Sequence, residues 1–387
     1  MKAAAQAHRP IGVGIIGASP DHGWAATAHI PALSVLPDFA LRAVSTTRRE
    51  SADAAARTFG ADHAFDHHEE LVGCPDVDLV VVTVKVPHHL ELVSAAIRAG
   101  KAVYCEWPLG ANLDEAEAMA DLAARADAPT MIGLQARSAP AVGYVRDLVA
   151  DGQLGDVLST TMTGTSRPGT TVPRAHAYLA DPANGATALT IAGGHSLDVM
   201  CHCLGEFDEL SSITDIRLPV LRIKETGEPW PKTAPDQVAV IGRLDRGVTA
   251  SAHFREGVSG HSAFLWEING TKGTVQVTAR HAHPGIYPMA VTVSLAGETS
   301  GTPVDIPSSY GVPAEAVHAV ESLGDAPAAN IARSYARLAR DLRDGGRTVP
   351  TFADALVRHR MISAIESSAH SGTRLRTQGD ADPEPVP

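Results

Sequence analysis

Short apolar runs alternate with amphipathic, alanine-rich stretches along the first third of the chain. Residues 11–16 form an apolar run that ends at Gly17, residues 41–45 a second, residues 64–65 a brief third, and residues 79–84 read LVVVTV. A run apolar on both faces marks a strand covered on both sides of a parallel sheet. Residues 102–105 and 131–134 supply two more strands. Between them, residues 49–59 carry apolar positions at helical spacing. Asn112 followed by Glu115 has the spacing of a capping box at the head of a helix that ends near Pro129. Strand, helix and strand repeated in this way predict a doubly wound parallel sheet in the order 3-2-1-4-5-6, with ligand at the carboxyl ends of the strands.

The pattern changes after residue 138. A helix is expected over 141–151, a strand over 157–163, and a long Gly/Pro/Thr-rich loop over 164–184. The stretch 187–204 is apolar and helical. Alternating segments at 237–244, 248–254, 264–269 and 274–278 read as half-buried strands of an open, mainly antiparallel sheet. Helices near 330–344 and 353–368 close the chain. The expected fold class is therefore α/β for the N-terminal half, a Rossmann-type domain over 1–137. An α+β domain for substrate and oligomer contacts follows over 138–376, with a polar, Pro-rich and disordered tail over 377–387.

Composition narrows the function. The 387 residues carry a formal net charge of −12, which disfavours a nucleic-acid partner. Cys74, Cys105, Cys201 and Cys203 are too few and scattered for a disulfide framework. Cys201-His202-Cys203 lacks the second Cys/His pair that zinc requires, so no metal is expected. No apolar stretch reaches the ~18 residues of a membrane span, and a cytoplasmic location is expected.

Gly12, Gly14 and Gly17 match G-x-G-x-x-G formally, but they fall within the first strand. The glycines that admit a pyrophosphate must lie in the turn after it. That turn runs from Gly17 through Ser19 and Gly23 to Trp24, with Gly23 opening a helix whose N-terminus faces phosphate. Strand two ends Ser45-Thr46-Thr47-Arg48-Arg49, with no acid to bond ribose hydroxyls and two guanidiniums suited to a 2′-phosphate. NADP(H) is therefore expected as cofactor, with NAD(H) as the alternative.

Several further segments resemble the glucose–fructose oxidoreductase/inositol dehydrogenase/rhizopine-catabolism (Gfo/Idh/MocA) family. They are VGIIG in the first strand, HIPAL at 29–33, GKAVYCEWP at 100–108, Arg137 with Pro140, Gly-x-His-x-x-Asp at Gly193, His195 and Asp198, the turn 270–273, and the final helix. In motif detail the chain is similar to the galactose/lactose-pathway corepressor branch, with Glu106-Trp107-Pro108 where the family usually has Glu-Lys-Pro. The family's Asp four residues before the histidine falls on Ile191. The resemblance implies cofactor contacts from Val84, His89, Glu106, Pro108 and Gln135. It implies catalytic roles for His195 and Trp107, with Lys85 a candidate to restore the missing charge. Arg137, His176, Tyr178 and Asp198 are candidates for substrate.

The expected activity is hydride transfer between NADP and a small sugar-, polyol- or secondary-metabolite-like substrate, with His195 moving the proton. A non-catalytic dinucleotide sensor is the second reading, and a redox-neutral lyase, epimerase or hydrolase the third. The family resemblance also implies a homodimer or homotetramer through the C-terminal sheet, and neither nucleic acid nor membrane is expected as a partner.

Overall fold

The computed structural model describes residues 9–166, 169–257, 263–298, 300–377 and 384–385. They fall into two compact units: Met1–Glu106, Met119–Gly133 and Val312–Thr351 form the first, while Trp107–Ala118, Leu134–Gly311 and Phe352–Pro387 form the second.

The first unit is a six-stranded parallel sheet of β1 (Ile11–Ile16), β2 (Phe39–Ser45), β3 (His63–Phe65), β4 (Leu79–Val82), β5 (Ala102–Cys105) and β6 (Thr130–Ile132). Its order is β3-β2-β1-β4-β5-β6, and every pairing is parallel. All four residues of β4 are buried, as a central strand with helices on both faces requires. The capping residue foreseen at Asn112, which belongs to the second unit, accepts the Glu115 N–H at 3.0 Å. A helix from near the far end of the chain, Ala328–Asp344, completes the first unit. Its Ile331, Tyr335 and Leu338 share one apolar cluster with Val13, Ala28, Leu33 and Phe39. A single sequence cut at residue 137 therefore misplaces residues 312–351, because their apolar stripe is covered by the first unit.

The second unit holds β7 (Val157–Ser166), β8 (Thr171–Val172), β9 (Phe207–Asp215), β10 (Val220–Ile223), β11 (Pro229–Pro231), β12 (Gln237–Leu244), β13 (Thr249–Glu256), β14 (Phe264–Gly270), β15 (Gly273–Ala279), β16 (Ala290–Leu295), β17 (Thr302–Val304), β18 (Leu375–Arg376) and β19 (Glu384–Pro385). Ten of these form one sheet, β17-β16-β15-β14-β7-β13-β12-β9-β18-β19. Among its pairings β7 with β13 is parallel and the others are antiparallel. The helix Phe352–Ser371 lies on β9: Ser212 donates from its N–H to Ser368 Oγ at 3.0 Å and from its Oγ to the Ile365 carbonyl at 2.5 Å. Ile213 and Ile241 are exposed, on the strand positions that alternate with the buried ones.

Two expectations change. Residues 164–184 are not one long loop. β8 pairs with β10 in a three-stranded sheet, and Val172, Ala177, Ala180, Leu221 and Ile223 make a small core under it. The tail expected to be disordered lies mostly outside the described residues, but Leu375 and Arg376 pair with Pro385 and Glu384.

Candidate active site

At the carboxyl ends of β1, β2 and β4 the first unit opens a cleft of about 460 Å³, lined by Gly17, Ser19, Thr46, Arg48 and Val84 among others. Its size is within the range of small-molecule and cofactor sites. Gly17 has φ +98, and a Cβ there would stand 2.8 Å from Val84 Cγ1 and 3.0 Å from the Thr83 carbonyl oxygen. Only glycine holds that turn. Ser19 Oγ and His22 Nδ1 lie 3.1 Å apart across the loop. Thr46 Oγ1 donates to the Arg48 carbonyl at 3.0 Å, which fixes the end of β2. The cleft also gathers His22, His67, His68 and His88, with Asp66 and Glu91 as its carboxylates. Sequence reasoning missed these, because the run 66–68 reaches the cleft only through the pairing of β3 with β2.

Several residues assigned to the cofactor have other work. Arg49 begins the helix Arg49–Phe59, pairs with Asp53 at 3.0 Å one turn on, and does not line the cleft. Gly23 has φ +99 and precedes Trp24, whose ring packs against the apolar cluster. His89 is buried; its Nε2 lies 3.1 Å from the Val84 carbonyl and its Nδ1 3.3 Å from Cys105 Sγ. It braces the strand ends and does not line the cleft. Lys85 is exposed and also lies outside the cleft lining. Glu106 receives His29 Nε2 at 3.0 Å, and His29 Nδ1 is 2.8 Å from Tyr335 Oη. The histidine of the HIPAL segment therefore anchors Glu106 from below, a role that sequence reasoning did not assign.

In the second unit, the bond from Trp107 to Pro108 is cis. Trp107 is buried and its indole N–H donates to the Thr190 carbonyl at 2.7 Å, while its ring lies 4.9 Å from that of His359. With its one polar atom so engaged, Trp107 is a packing residue of this unit, where sequence reasoning gave it a catalytic role. His195, on the helix Gly194–Leu204, is buried, and its ring stacks on His283 with centroids 3.5 Å apart. Its Nδ1 has no hydrogen-bond partner among the described residues. Burial pushes His195 down to about 3; Asp198 opposes that shift and His281 adds to it. His283 is likewise lowered by burial and by the two other imidazoles. Burial disfavours the imidazolium form of each ring, and their mutual repulsion disfavours it further. Gln135 Nε2 lies 3.3 Å from His283 Nε2, and its Oε1 is buried without a partner among the described residues. Gln135, His195 and His283 thus meet in one cluster. The His-Ala-His run at 281–283 was its overlooked signal.

The profile described as "Oxidoreductase family, NAD-binding Rossmann fold" matches residues 11–134, and that described as "Gal80p, C-terminal domain" matches residues 140–279. Dehydrogenase aclE of Aspergillus oryzae is 33% identical over 378 residues, covering 94% of this chain and 97% of its own. The chain belongs to the Gfo/Idh/MocA oxidoreductase family. Among solved structures, a super-repressor mutant of Gal80p from Saccharomyces cerevisiae superposes with a TM-score of 0.85 at 24% identity, covering 95% of this chain and 98% of that one. Levoglucosan dehydrogenase in complex with NADH and levoglucosan gives 0.81 at 22%, covering 96% and 100%. These likenesses share the fold.

In this Gfo/Idh/MocA chain the residues proposed for substrate divide. Arg137 donates from Nε and Nη2 to Asp198, at 3.0 and 2.6 Å, and from Nη1 to Asp354 at 2.8 Å. Asp198 is fully buried and also faces Arg358 at 3.7 Å. This cluster ties the helix Gly194–Leu204 to the helix Phe352–Ser371, so Arg137 and Asp198 brace the unit and do not present free charge to a ligand. His176 is exposed and Tyr178 half-buried on the short helix Arg174–Ala180. Among the described residues no helix is long and apolar enough to cross a membrane.

Proposed function

We propose that the protein is an NADP-dependent oxidoreductase that oxidises or reduces a small hydroxyl- or carbonyl-bearing molecule. The observation that carries the proposal is the cleft at the ends of β1, β2 and β4, where Gly17 makes the tight turn and Thr46, Thr47 and Arg48 line the side we assign to the ribose. Arg48, from the end of β2, suits a 2′-phosphate bidentately. The nicotinamide, when bound, supplies the hydride acceptor or donor. This chain's part is to hold and move the proton. His195 is the residue we assign to take the hydroxyl proton in the oxidative direction, on the resemblance that puts the family's histidine at this position. The stack on His283 and the Gln135 amide fix the neighbouring rings. Levoglucosan dehydrogenase, a neighbour by fold, is named for a sugar-derived hydroxyl substrate, and this favours a polyol or anhydro-sugar class here.

The test is titration with NADPH and NADH by fluorescence, followed by turnover across a panel of sugars, anhydro-sugars and cyclic diols. Arg48→Ser should weaken NADPH at least tenfold and leave NADH unchanged. His195→Ala should abolish turnover and spare nucleotide binding. A chain that binds neither nucleotide refutes the proposal.

A second reading is a dinucleotide-responsive regulator. It is favoured by Trp107, whose engaged indole stands where the family resemblance puts an ammonium, and by the match of residues 140–279 to the Gal80p C-terminal domain. Tight NADP binding with no turnover on the panel selects it. In either role we propose a cytoplasmic homo-oligomer joined through the exposed sheet face around Ile213 and Ile241.

A further inference from the structure

Away from the cleft, the first unit brings three different metal-ligand donors together. His63 begins β3, and Cys74 and Asp76 lie in the loop between the helix His68–Gly73 and β4. His63 Nε2 is 2.9 Å from Asp76 Oδ2, and one donor atom from each of the three residues lies within 4.8 Å of the others. The positions 63, 74 and 76 have no zinc-motif spacing, and they meet through the parallel pairing of β3 with β2. That explains why the sequence pattern pointed to no metal.

We infer that His63, Cys74 and Asp76 form a binding site for a zinc-like divalent cation on the first unit, remote from the dinucleotide cleft. Imidazole nitrogen, thiolate sulfur and carboxylate oxygen are the three donor types zinc takes, and three protein ligands leave a fourth position for water. Tetrahedral coordination at zinc–ligand lengths of ~2.0–2.3 Å separates the donors by roughly 3.3–3.6 Å. The contact between His63 and Asp76 opens by about half an ångström to reach this, separations as wide as 4.8 Å close onto the ion, and the metal takes the place of the proton they share. The thiol gives up its proton on binding, so Zn²⁺ with one thiolate and one carboxylate is a neutral assembly.

The loop that carries two of the donors is held from two sides. Lys101 Nζ donates to the Cys74 carbonyl at 3.0 Å and to the Val77 carbonyl at 2.7 Å. Asp76 rests on β1 so closely that a Cβ at Gly12 would stand 1.9 Å from its carbonyl oxygen. Gly12, which imitates a nucleotide-loop glycine in the sequence, makes room for this loop instead. A preorganised loop lowers the ordering cost of coordination. The bound ion would tether β3, a three-residue strand at the sheet edge whose far end leads directly to Asp66, His67 and His68 in the cleft lining.

The test uses the full chain, stripped with chelator under reducing conditions and titrated with Co²⁺ alone. The expected result is one equivalent per chain, with a thiolate-to-cobalt charge-transfer band in the near ultraviolet and strong visible bands of tetrahedral cobalt. Zn²⁺ should displace them. Cys74→Ser should remove the near-ultraviolet band, and His63→Ala and Asp76→Asn should each weaken Co²⁺ at least tenfold. Unchanged NADPH binding and circular dichroism in these variants separate loss of the site from loss of the fold. No charge-transfer band at saturating Co²⁺ overturns the inference, as does a band that persists in Cys74→Ser.

Discussion

Lowering the pH should destabilise the second unit through His195. In the unfolded chain a histidine titrates near 6.5, whereas burial holds His195 down to about 3. Between those values the unfolded state carries one more proton than the folded state. Stability then rises with pH, at about 1.4 kcal/mol per pH unit per group. The contribution is fully present above about pH 6.5 and is lost progressively as pH falls towards 3. From pH 7 to pH 5 the loss attributable to His195 is about 2 kcal/mol, and His283, lowered in the same direction, adds to it. The assay is urea unfolding of the wild type and of His195→Gln at pH 7 and pH 5. Groups remote from the stack titrate in both proteins and cancel in the comparison; His283, lowered chiefly by burial and also by His195, loses only the smaller contribution in the variant, which should therefore lose about 2 kcal/mol less over this interval. Equal pH dependence in the two proteins would refute a neutral, buried His195 and, with it, its assignment as a base.

Three other perturbations test neighbouring parts of the argument. Gly17→Ala puts a methyl within 3.0 Å of the Thr83 carbonyl oxygen at a left-handed φ; calorimetry should show NADPH affinity reduced by more than tenfold. Arg137→Ala leaves Asp198 buried with its main partner gone, and thermal or urea unfolding should register a loss of about 3–5 kcal/mol. Trp107→Phe keeps an aromatic ring but strands the Thr190 carbonyl; a loss of about 1–3 kcal/mol is expected, whereas retained stability with lost turnover would restore a catalytic role to the indole.

Local patterning made the first unit legible. The helix Arg49–Phe59 and the strand Ala102–Cys105 form where their periodicity puts them, because an alanine-rich amphipathic face and a two-sided apolar run each admit one solution. The turn at Gly17 was equally readable, since a strand that must bend sharply needs a glycine. Pairings distant in sequence were not readable. Tyr335 reaches His29 across 306 positions and Gln135 reaches His283 across 148, and neither partner carries a local mark. Arg48 and Arg49 look alike in the sequence, yet one lines the cleft and the other pairs with Asp53, because successive residues at a helix start point in different directions. The loop 164–184 was misread because its Gly, Pro and Thr content masks apolar positions such as Val172 and Ala177, whose partners at Leu221 and Ile223 lie some fifty residues on.

The return of Ala328–Asp344 to the first unit has a consequence for synthesis. The helix that supplies Ile331, Tyr335 and Leu338 to that core leaves the ribosome only after more than three hundred residues have been made. Until then the surface formed by Leu33, Phe39 and their neighbours is bare while the second unit is being translated. A nascent chain in that condition presents an apolar client surface to chaperones for most of its elongation, and a fragment truncated before the returning helix would carry the same sticky face permanently.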